Sequence, residues 1–385
     1  MKFVNQHNTI IEIGKKLGGG GEGIVYTLPF NPSRVAKIYH DRADKEKKEK
    51  IIYMCNMSKR YSLDRLFTFT AWPQDILFDK ATGDIWGFTM KNLTYTVPIH
   101  QIYSPIDRKY KFPNRDWSFL VHVSRNIAAA FATIHQHNMV IGDVNQDSIR
   151  VSKDGTVNII DCDSFQIPHK NGIFRCKVAQ REFTPPELHG GIDLHNIIRT
   201  PNHDNFCLAI LIFLLLLMGR HPFSGRNLGN KDISIPKAIE NYMYVYSHKA
   251  HENLLPPHTN ITPSILSPQL IKNFEHAFEK SSYSKKRPEA RLWLEDISSF
   301  QRYIRSCNYI PTHKYFNGLK NCPWCESLKD GNDYFPQMHK IMTINGNEIK
   351  VNDNKNDNDK LEGLFLLIYA CIIFLGLLLL IHNLN

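Results

Sequence analysis

Short hydrophobic runs separated by turn-forming residues occupy the first third of the chain and predict a β-rich region. Runs of strand type lie at 10–16, 24–28 and 34–39. Two further apolar runs, 76–78 and 85–90, flank a turn-forming segment and indicate a β-hairpin. Between these runs, apolar residues at helical spacing predict one helix over 44–59.

Helical periodicity dominates the rest of the chain. Apolar residues three and four positions apart predict helices at 117–136, 204–218, 236–247, 267–281 and 289–306. The uninterrupted apolar run 206–218 has 13 residues, which is too few to cross a bilayer and indicates a buried core helix.

A second apolar run lies near the end of the sequence. Residues 364–381 contain 18 residues without a charge, and a helix of that length spans roughly 27 Å, close to the thickness of the bilayer interior. The preceding segment is rich in Asn, Asp and Lys, as flexible tethers are. We therefore expect a linker at 341–362 and a transmembrane anchor at 363–382, with the rest of the chain on the cytoplasmic side and lipid as a partner of this helix.

Composition is that of a globular protein. The 385 residues are 42% hydrophobic, the mean hydropathy is −0.33, and the net charge is +10. Part of the charge alternates in sign over 45–50, which is typical of a solvated helix face, so no nucleic-acid partner is expected. The first 13 residues are too polar for a signal peptide, and most of the 8 cysteines are scattered, which favours a reducing compartment.

A glycine-rich segment precedes the second predicted strand. Gly18, Gly20, Gly23 and Val25 follow the pattern G-x-G-x-x-G-x-V, in which backbone N–H groups can approach phosphate oxygens. A dinucleotide-binding loop or a plain flexible loop has the same pattern, but a strand rather than a helix follows here. Lys37 comes 14 residues after the last glycine, between apolar neighbours, where a strand lysine can bind phosphates.

A phosphate-binding lysine of this kind needs a helix carboxylate to hold it in place. Glu46 and Glu49 lie one turn apart on the predicted helix 44–59. We favour Glu49 because it opens the run that should pack inward, and Glu46 is the alternative. The alternative for both residues is that they only form surface charge pairs with the neighbouring lysines.

Two aspartates follow hydrophobic runs further along the chain. Asp143 and Asp161 are 18 positions apart, as are the base that orients the attacking hydroxyl and the magnesium-binding aspartate of phosphoryl-transfer sites. Each taken alone could be a turn aspartate, but their order after the glycine loop and Lys37 favours the catalytic interpretation. Asp161 is thus the predicted Mg²⁺ ligand.

Three further residues have predicted structural roles. Glu187, in a Pro-Pro-Glu segment, is expected to pair with Arg287, about 100 residues later. Asp204 opens the apolar helix and is expected to bind the backbone around Asp143.

Together these motifs resemble the eukaryotic-like protein kinase superfamily, over about four-fifths of the chain. The closer resemblance is to a bacterial stress-associated branch, through Gly-Asp-Val-Asn at 142–145 and Asp-Cys-Asp-Ser-Phe-Gln at 161–166. It implies an α+β, two-lobed fold with an N-lobe at 1–93 and a C-lobe at 94–305. It also implies ATP and Mg²⁺ as cofactors, Met90 in the nucleotide pocket, and protein substrates. Members of this branch occur beside von Willebrand A domain proteins and PP2C-type phosphatases, which are implied partners.

The chain departs from the kinase pattern near Asp143. Asn145 replaces a lysine, as in the branch, and Ser148 replaces the metal-binding asparagine. A serine hydroxyl is a weaker metal ligand than an amide oxygen, and Asn145 or Asp163 is a candidate to compensate. Gly142 stands where many kinases have an arginine, so switching by activation-loop phosphate is not expected.

A Cys/His cluster follows the predicted C-lobe, within 306–340. Its candidate ligands are three thiols and one imidazole, at Cys307, His313, Cys322 and Cys325. This set can close a tetrahedral structural Zn²⁺ site, and the branch resemblance supports it. A redox Cys-x-x-C is the weaker alternative, since no thioredoxin-like pattern surrounds it.

These observations lead to three functional hypotheses. The first is a membrane-anchored protein kinase that transfers the ATP γ-phosphate to Ser or Thr of a protein. The second is an ATP-binding pseudokinase scaffold, which Ser148 favours. The third, of lowest weight, is a kinase for a small molecule.

Overall fold

The computed structural model describes residues 2–229, 232–248 and 254–336, and the backbone of 341–344 and 347–350. The chain divides into two compact units, Met1–Pro336 and Gln337–Asn385. In the second unit, two strands, Ile341–Ile344 and Asn347–Lys350, form an antiparallel hairpin.

The N-terminal part of the first unit is a seven-stranded antiparallel sheet with two helices. Its elements are β1 (Lys2–Val4), β2 (Ile10–Glu12), β3 (Lys16–Gly19), β4 (Gly23–Thr27), β5 (Arg34–Tyr39), α1 (Lys45–Arg60), α2 (Leu66–Phe69), β6 (Asp75–Phe78) and β7 (Ile85–Lys91). The strand order is β2-β1-β6-β7-β5-β4-β3, so β5 lies between β4 and β7.

The predicted strand at 10–16 is wrong as a single element. It consists of β2 and β3, separated at Gly14, whose N–H donates to the carbonyl of Thr27. The short strand β1 was not predicted, because three residues are too few to show alternation. The strand at 34–39, the helix over 44–59 and the hairpin are confirmed to within one or two residues.

Helices dominate the following part of the first unit. Its elements are β8 (Val97–Pro98), α3 (His100–Tyr103), α4 (Pro105–Lys111), α5 (Trp117–Gln136), β9 (Ile149–Val151), β10 (Val157–Ile159), β11 (Ile167–His169), β12 (Gly172–Phe174), α6 (Pro201–Leu216), β13 (Arg226–Asn227), α7 (Ile235–Glu240), β14 (Leu254–Leu255), α8 (Pro268–Phe278), α9 (Ser282–Lys285) and α10 (Ala290–Gln301). Short 3₁₀ turns connect some of them.

Helix α6 forms the centre of this part. Every residue of 203–216 is buried, and α6 packs against α5 and α8. The buried core helix predicted at 206–218 is therefore confirmed, because a helix that is apolar on all faces must be surrounded by protein.

Two predicted helices end at least five residues earlier than expected. The helix predicted at 236–247 ends at Glu240, since Tyr242 adopts a positive φ of 56° that no right-handed helix accommodates. The helix predicted at 289–306 ends at Gln301, and strand β15 (Ile304–Ser306) follows.

The segment after α10 packs onto the helical part. Strand β15 pairs with β16 (Lys314–Phe316), and α11 (Pro323–Lys329) carries Trp324. The Trp324 ring lies 5.4 Å from that of Trp117 on α5, between ring centroids. Arg108, which is buried, donates to the carbonyl of Tyr334 at 3.2 Å.

The predicted anchor at 363–382 lies outside the described residues. Within the described part of the chain, no helix combines the length and the apolarity that crossing a bilayer requires.

Candidate active site

Lys37 lies on β5 and points into the space beneath the glycine-rich strands. Its Nζ contacts Asp163 at 2.8 and 2.9 Å and Asp161 at 3.4 Å, across more than 120 residues of chain. The structure therefore brings together two of the predicted catalytic residues, Lys37 and Asp161, and adds a third charged residue, Asp163.

The environment of Lys37 favours its charged form. Burial lowers the pKa of this lysine, but the Asp163 and Asp161 carboxylates outweigh that effect and raise the pKa above its usual value. The Asp163 carboxylate is itself only 2% exposed and also accepts a hydrogen bond from Tyr39, at 3.1 Å. Lys37 is thus a fixed positive charge at neutral pH.

The helix carboxylate predicted for Lys37 is not found. Glu49 is exposed and takes part in none of the ion pairs of the described residues, while Glu46 pairs with Lys177 at 2.5 Å. The neighbouring Lys50 is buried, as is Ile51 on the same turn of α1. The run of α1 that packs inward therefore starts one residue later than predicted. The predicted partner of Lys37, Glu49, is wrong, and the carboxylate that contacts Lys37 is that of Asp163.

The glycine-rich segment spans β3, a turn and the start of β4. An added Cβ at Gly18 or Gly20 meets no atom within 4 Å, whereas at Gly23 it would collide with the backbone of Ile38. Gly23 is therefore needed for strand packing, whereas a side chain at Gly18 or Gly20 would meet open space. Val25, on β4, is half-buried.

A glutamate of the same segment approaches Lys37. Glu22 lies 3.8 Å from Lys37 and 3.4 Å from Lys47, with 42% of its side chain exposed. An anionic ligand at Lys37 would compete with this carboxylate.

Met90 lies on β7, opposite Val35 of β5, and is buried. The sheet therefore places it one strand away from the glycine-rich segment, across β5. This position is compatible with its predicted place in the nucleotide pocket.

Asp143 lies in a loop whose backbone is held by Asp204. The two Asp204 oxygens accept from the N–H groups of Ile141 and Gly142, at 2.7 and 2.9 Å. The predicted role of Asp204 is thereby confirmed. Asp204 also contacts His135 at 3.1 Å, which connects the loop to α5.

The carboxylate of Asp143 has a free acceptor. Its Oδ1 is buried and has no hydrogen-bond partner among the described residues. Burial, together with the negative charge of Asp161, raises the pKa of Asp143. A buried carboxylate oxygen without a protein partner is unusual and marks this position as a candidate functional one.

Gly142 has a structural reason for being glycine. Its φ is +74°, and an added Cβ would lie 2.6 Å from the sulfur of Cys176. An arginine at this position is therefore incompatible with both the backbone and the packing of this chain.

Asn145 and Ser148 close a tight turn behind Asp143. The Asn145 side-chain oxygen accepts from the N–H groups of Asp147 and Ser148, both at 2.9 Å. The Ser148 hydroxyl is buried and hydrogen bonds to the backbone N–H and carbonyl of Asn145, at 3.2 and 3.1 Å. Both polar groups are thus engaged within the turn.

Asp161 occupies a special backbone conformation. Its φ of 56° and ψ of 35° are left-handed, which aspartate tolerates better than most residues. Asp161 precedes a short 3₁₀ turn that contains Asp163, and the two residues differ in exposure. The Asp161 side chain is 48% exposed and that of Asp163 only 2%. Asp161 is therefore the one of the two that a cation from solvent can reach.

The Cys/His cluster is assembled in the structure. Cys307, His313, Cys322 and Cys325 place one ligand atom each within 4.8 Å of one another. The Sγ–Sγ distance between Cys307 and Cys325 is 3.6 Å, and the His313 Nδ1 lies 3.4 Å from Cys325 and 3.7 Å from Cys322. Tetrahedral zinc, with bonds of about 2.3 Å to sulfur and about 2.0 Å to nitrogen, has edges of this length.

The chain is similar to two curated proteins named protein kinase YegI. It is 37% identical over 350 residues to that of Escherichia coli K12, an alignment that covers 90% of this chain and 53% of the relative. It is 38% identical over 336 residues to that of Escherichia coli O157:H7, covering 86% and 51%. These relatives support a protein-kinase-like family. No family model matches the sequence.

The chain spans about half the length of these curated relatives. The sheet followed by a helical part is consistent with a kinase-like fold. Sequence reasoning missed Asp163 as the main partner of Lys37, although a second acidic residue two positions after Asp161 was visible.

Proposed function

We propose that this chain is a protein kinase that transfers the γ-phosphate of ATP to a Ser or Thr hydroxyl of a protein. The observation that supports it most is the contact of Lys37 with Asp161 and Asp163 beneath a glycine-rich segment with open space above it. A buried lysine beside a half-exposed carboxylate suits a phosphate group bound through a magnesium ion.

The residues have distinct roles in this proposal. Gly18 and Gly20 leave room for phosphates, and Lys37 binds their oxygens. Asp161 holds magnesium, which would neutralise charge on the phosphates. Asp143 accepts the hydrogen bond of the attacking hydroxyl through its carboxylate and so aligns it.

Phosphate transfer by the full-length chain tests this proposal. Asp143→Ala should lower transfer from ATP to a protein substrate by about a hundredfold or more, because the hydroxyl loses its acceptor. Asp107→Ala, at an exposed position on α4, is the matched control and should transfer as the wild type does. Equal transfer by both variants would contradict the assignment of Asp143.

A pseudokinase scaffold is the second candidate, and one observation favours it. The Ser148 hydroxyl is engaged with the backbone of Asn145 and so is not directed to a second metal ion. Nucleotide binding without any transfer would support the scaffold. A gain of transfer in Ser148→Asn would show that this position limits the kinase.

We also propose that residues 363–382 anchor the protein in a membrane, on the strength of the uncharged apolar run. Replacing Ile373 and Phe374 with arginine costs about 2.5–3.5 kcal/mol each at the centre of a membrane helix. The full-length double variant should leave the membrane fraction, whereas the wild type should stay in it after an alkaline carbonate wash. The von Willebrand A domain and PP2C-type partners remain proposals based on resemblance alone.

A structural Zn²⁺ at the Cys/His cluster completes the proposal. The four side chains leave no position for a substrate, as is usual for structural sites. Trp324 lies between this cluster and Trp117 of α5, so the metal would fasten the segment 304–335 onto the helical part.

A further inference from the structure

The charged group that holds Lys37 lies on the turn after Asp161 and not on helix α1. Both oxygens of Asp163 contact Lys37, at 2.8 and 2.9 Å, and the side chain is almost completely buried. A buried carboxylate with two charge-assisted contacts fixes the position of the lysine it pairs with.

We propose that Asp163 is the positioning residue of Lys37, which it holds in place for the phosphates of the nucleotide in the absence of a helix carboxylate. This inference rests on the proposed phosphate-transfer function.

Asp163 is poorly placed to bind a metal ion instead. Its Oδ2 accepts from both Lys37 and Tyr39, and its Oδ1 accepts from Lys37. Asp161, two residues earlier, exposes half of its side chain. The two aspartates therefore have different roles: Asp161 is half-exposed to solvent, whereas Asp163 is buried against Lys37.

Helix α1 presents a cation to Asp163 rather than a carboxylate to Lys37. Burial lowers the pKa of Lys50, one of the buried residues of the second turn of this helix, to about 8, and the charge of Asp163 opposes this shift. Asp163 thus has positive groups of two elements around it. Asp161 and Asp163 belong to one short turn. The turn therefore fixes the distance between the predicted metal ligand, Asp161, and the partner of Lys37, Asp163.

A double-mutant cycle on the full-length chain tests this role. The readout is the affinity for ATP, measured by calorimetry at several Mg²⁺ concentrations, together with the melting temperature. Asp163→Asn should weaken ATP binding by about tenfold or more, because Lys37 loses its charged partner. In the Lys37→Met protein, the same substitution should change the affinity by less than about twofold, since no lysine remains to be positioned.

Removing the Asp163 charge takes away the nearest carboxylate of the buried Lys37, and the single variant can fail to fold. The cycle is therefore repeated in the Lys50→Met background, where the second cation is absent. Lys50→Met alone provides the reference affinity there.

Three results would overturn the inference. They are an unchanged affinity in Asp163→Asn, an equal loss of affinity with and without Lys37, and a higher Mg²⁺ requirement in Asp163→Asn, which would make this residue a metal ligand. A wild type that binds no ATP would overturn the proposed function itself, and is thereby distinguishable from these results.

Discussion

Arg287 donates two hydrogen bonds to the carboxylate of Glu187, at 2.7 and 2.9 Å, across 100 residues of chain. Both side chains are buried, with 1% and 9% of their surface exposed. The pairing predicted from the Pro-Pro-Glu segment is thereby confirmed. It fastens the segment that follows β12 to the loop between α9 and α10.

Breaking this ion pair should be costly. Arg287→Ala removes the bidentate partner of the Glu187 carboxylate and, among the described residues, leaves only His203, at 3.9 Å, to pair with it. We expect a loss of about 3–5 kcal/mol in the free energy of unfolding. Arg291→Ala removes an exposed pair with Glu295, one helical turn apart, and should cost only about 0.3–0.5 kcal/mol. Urea denaturation of both variants measures the difference, and comparable losses would show that the buried pair is unimportant.

Gly142 should tolerate no side chain. Gly142→Ala introduces left-handed strain of about 1–2 kcal/mol and a collision with Cys176 that adds about 1–3 kcal/mol. Gly191→Ala is the matched control, because its φ is +81° but an added Cβ there meets no atom within 4 Å. Denaturation should show a larger loss at 142, partly recovered in Gly142→Ala/Cys176→Ala. Equal losses at both glycines would rule out the contact with Cys176.

Stability should fall on mild acidification because of His221. This histidine is buried, its Nε2 donates to the carbonyl of Glu182, and its Nδ1 accepts from the N–H of Phe223. Burial lowers its pKa from 6.5 to about 4. Between these values the unfolded chain binds the extra proton, so stability rises with pH over this interval.

The loss should reach about 3 kcal/mol when the pH falls from 6.5 to 4. Denaturation at several pH values, for the wild type and His221→Gln, isolates this contribution from other groups. The variant should show a shallower slope than the wild type in this interval. Parallel slopes would mean that His221 is not the group that titrates.

The Cys/His cluster should bind about one zinc per chain. Elemental analysis should find this metal in the wild type and in Cys176→Ser, which removes a buried thiol outside the cluster. Cys325→Ser should lose it, and tryptophan fluorescence should change because Trp324 and Trp117 are in contact. A wild type without zinc would contradict the assignment.

Sequence periodicity located the longer helices, with errors at some of their ends, and local motifs located several functional residues. Helix α5 has the predicted bounds, because its apolar spacing continues over twenty residues. The Glu187–Arg287 pair and the Asp204 anchor could be predicted because each belongs to a recognisable motif.

The pairing of Lys37 was less accessible to sequence reasoning. Glu49 and Lys50 are adjacent on α1, and the apolar run that follows them is compatible with either side chain facing inward. A shift of the helix face by one residue decides between them. The left-handed backbone of Asp161, which directs Asp163 inward, leaves no signature in the hydrophobic pattern. Likewise, the contact of Gly142 with Cys176 depends on distant segments.

The proposed place of Lys37 in a phosphate-transfer site is tested most directly by one measurement. The full-length chain is incubated with ATP, Mg²⁺ and a protein substrate, and phosphate on Ser and Thr is counted by mass spectrometry for the wild type and for Lys37→Met. We predict that phosphate accumulates with the wild type and not with Lys37→Met. Equal phosphate with both proteins, or none with the folded wild type, would contradict the claim.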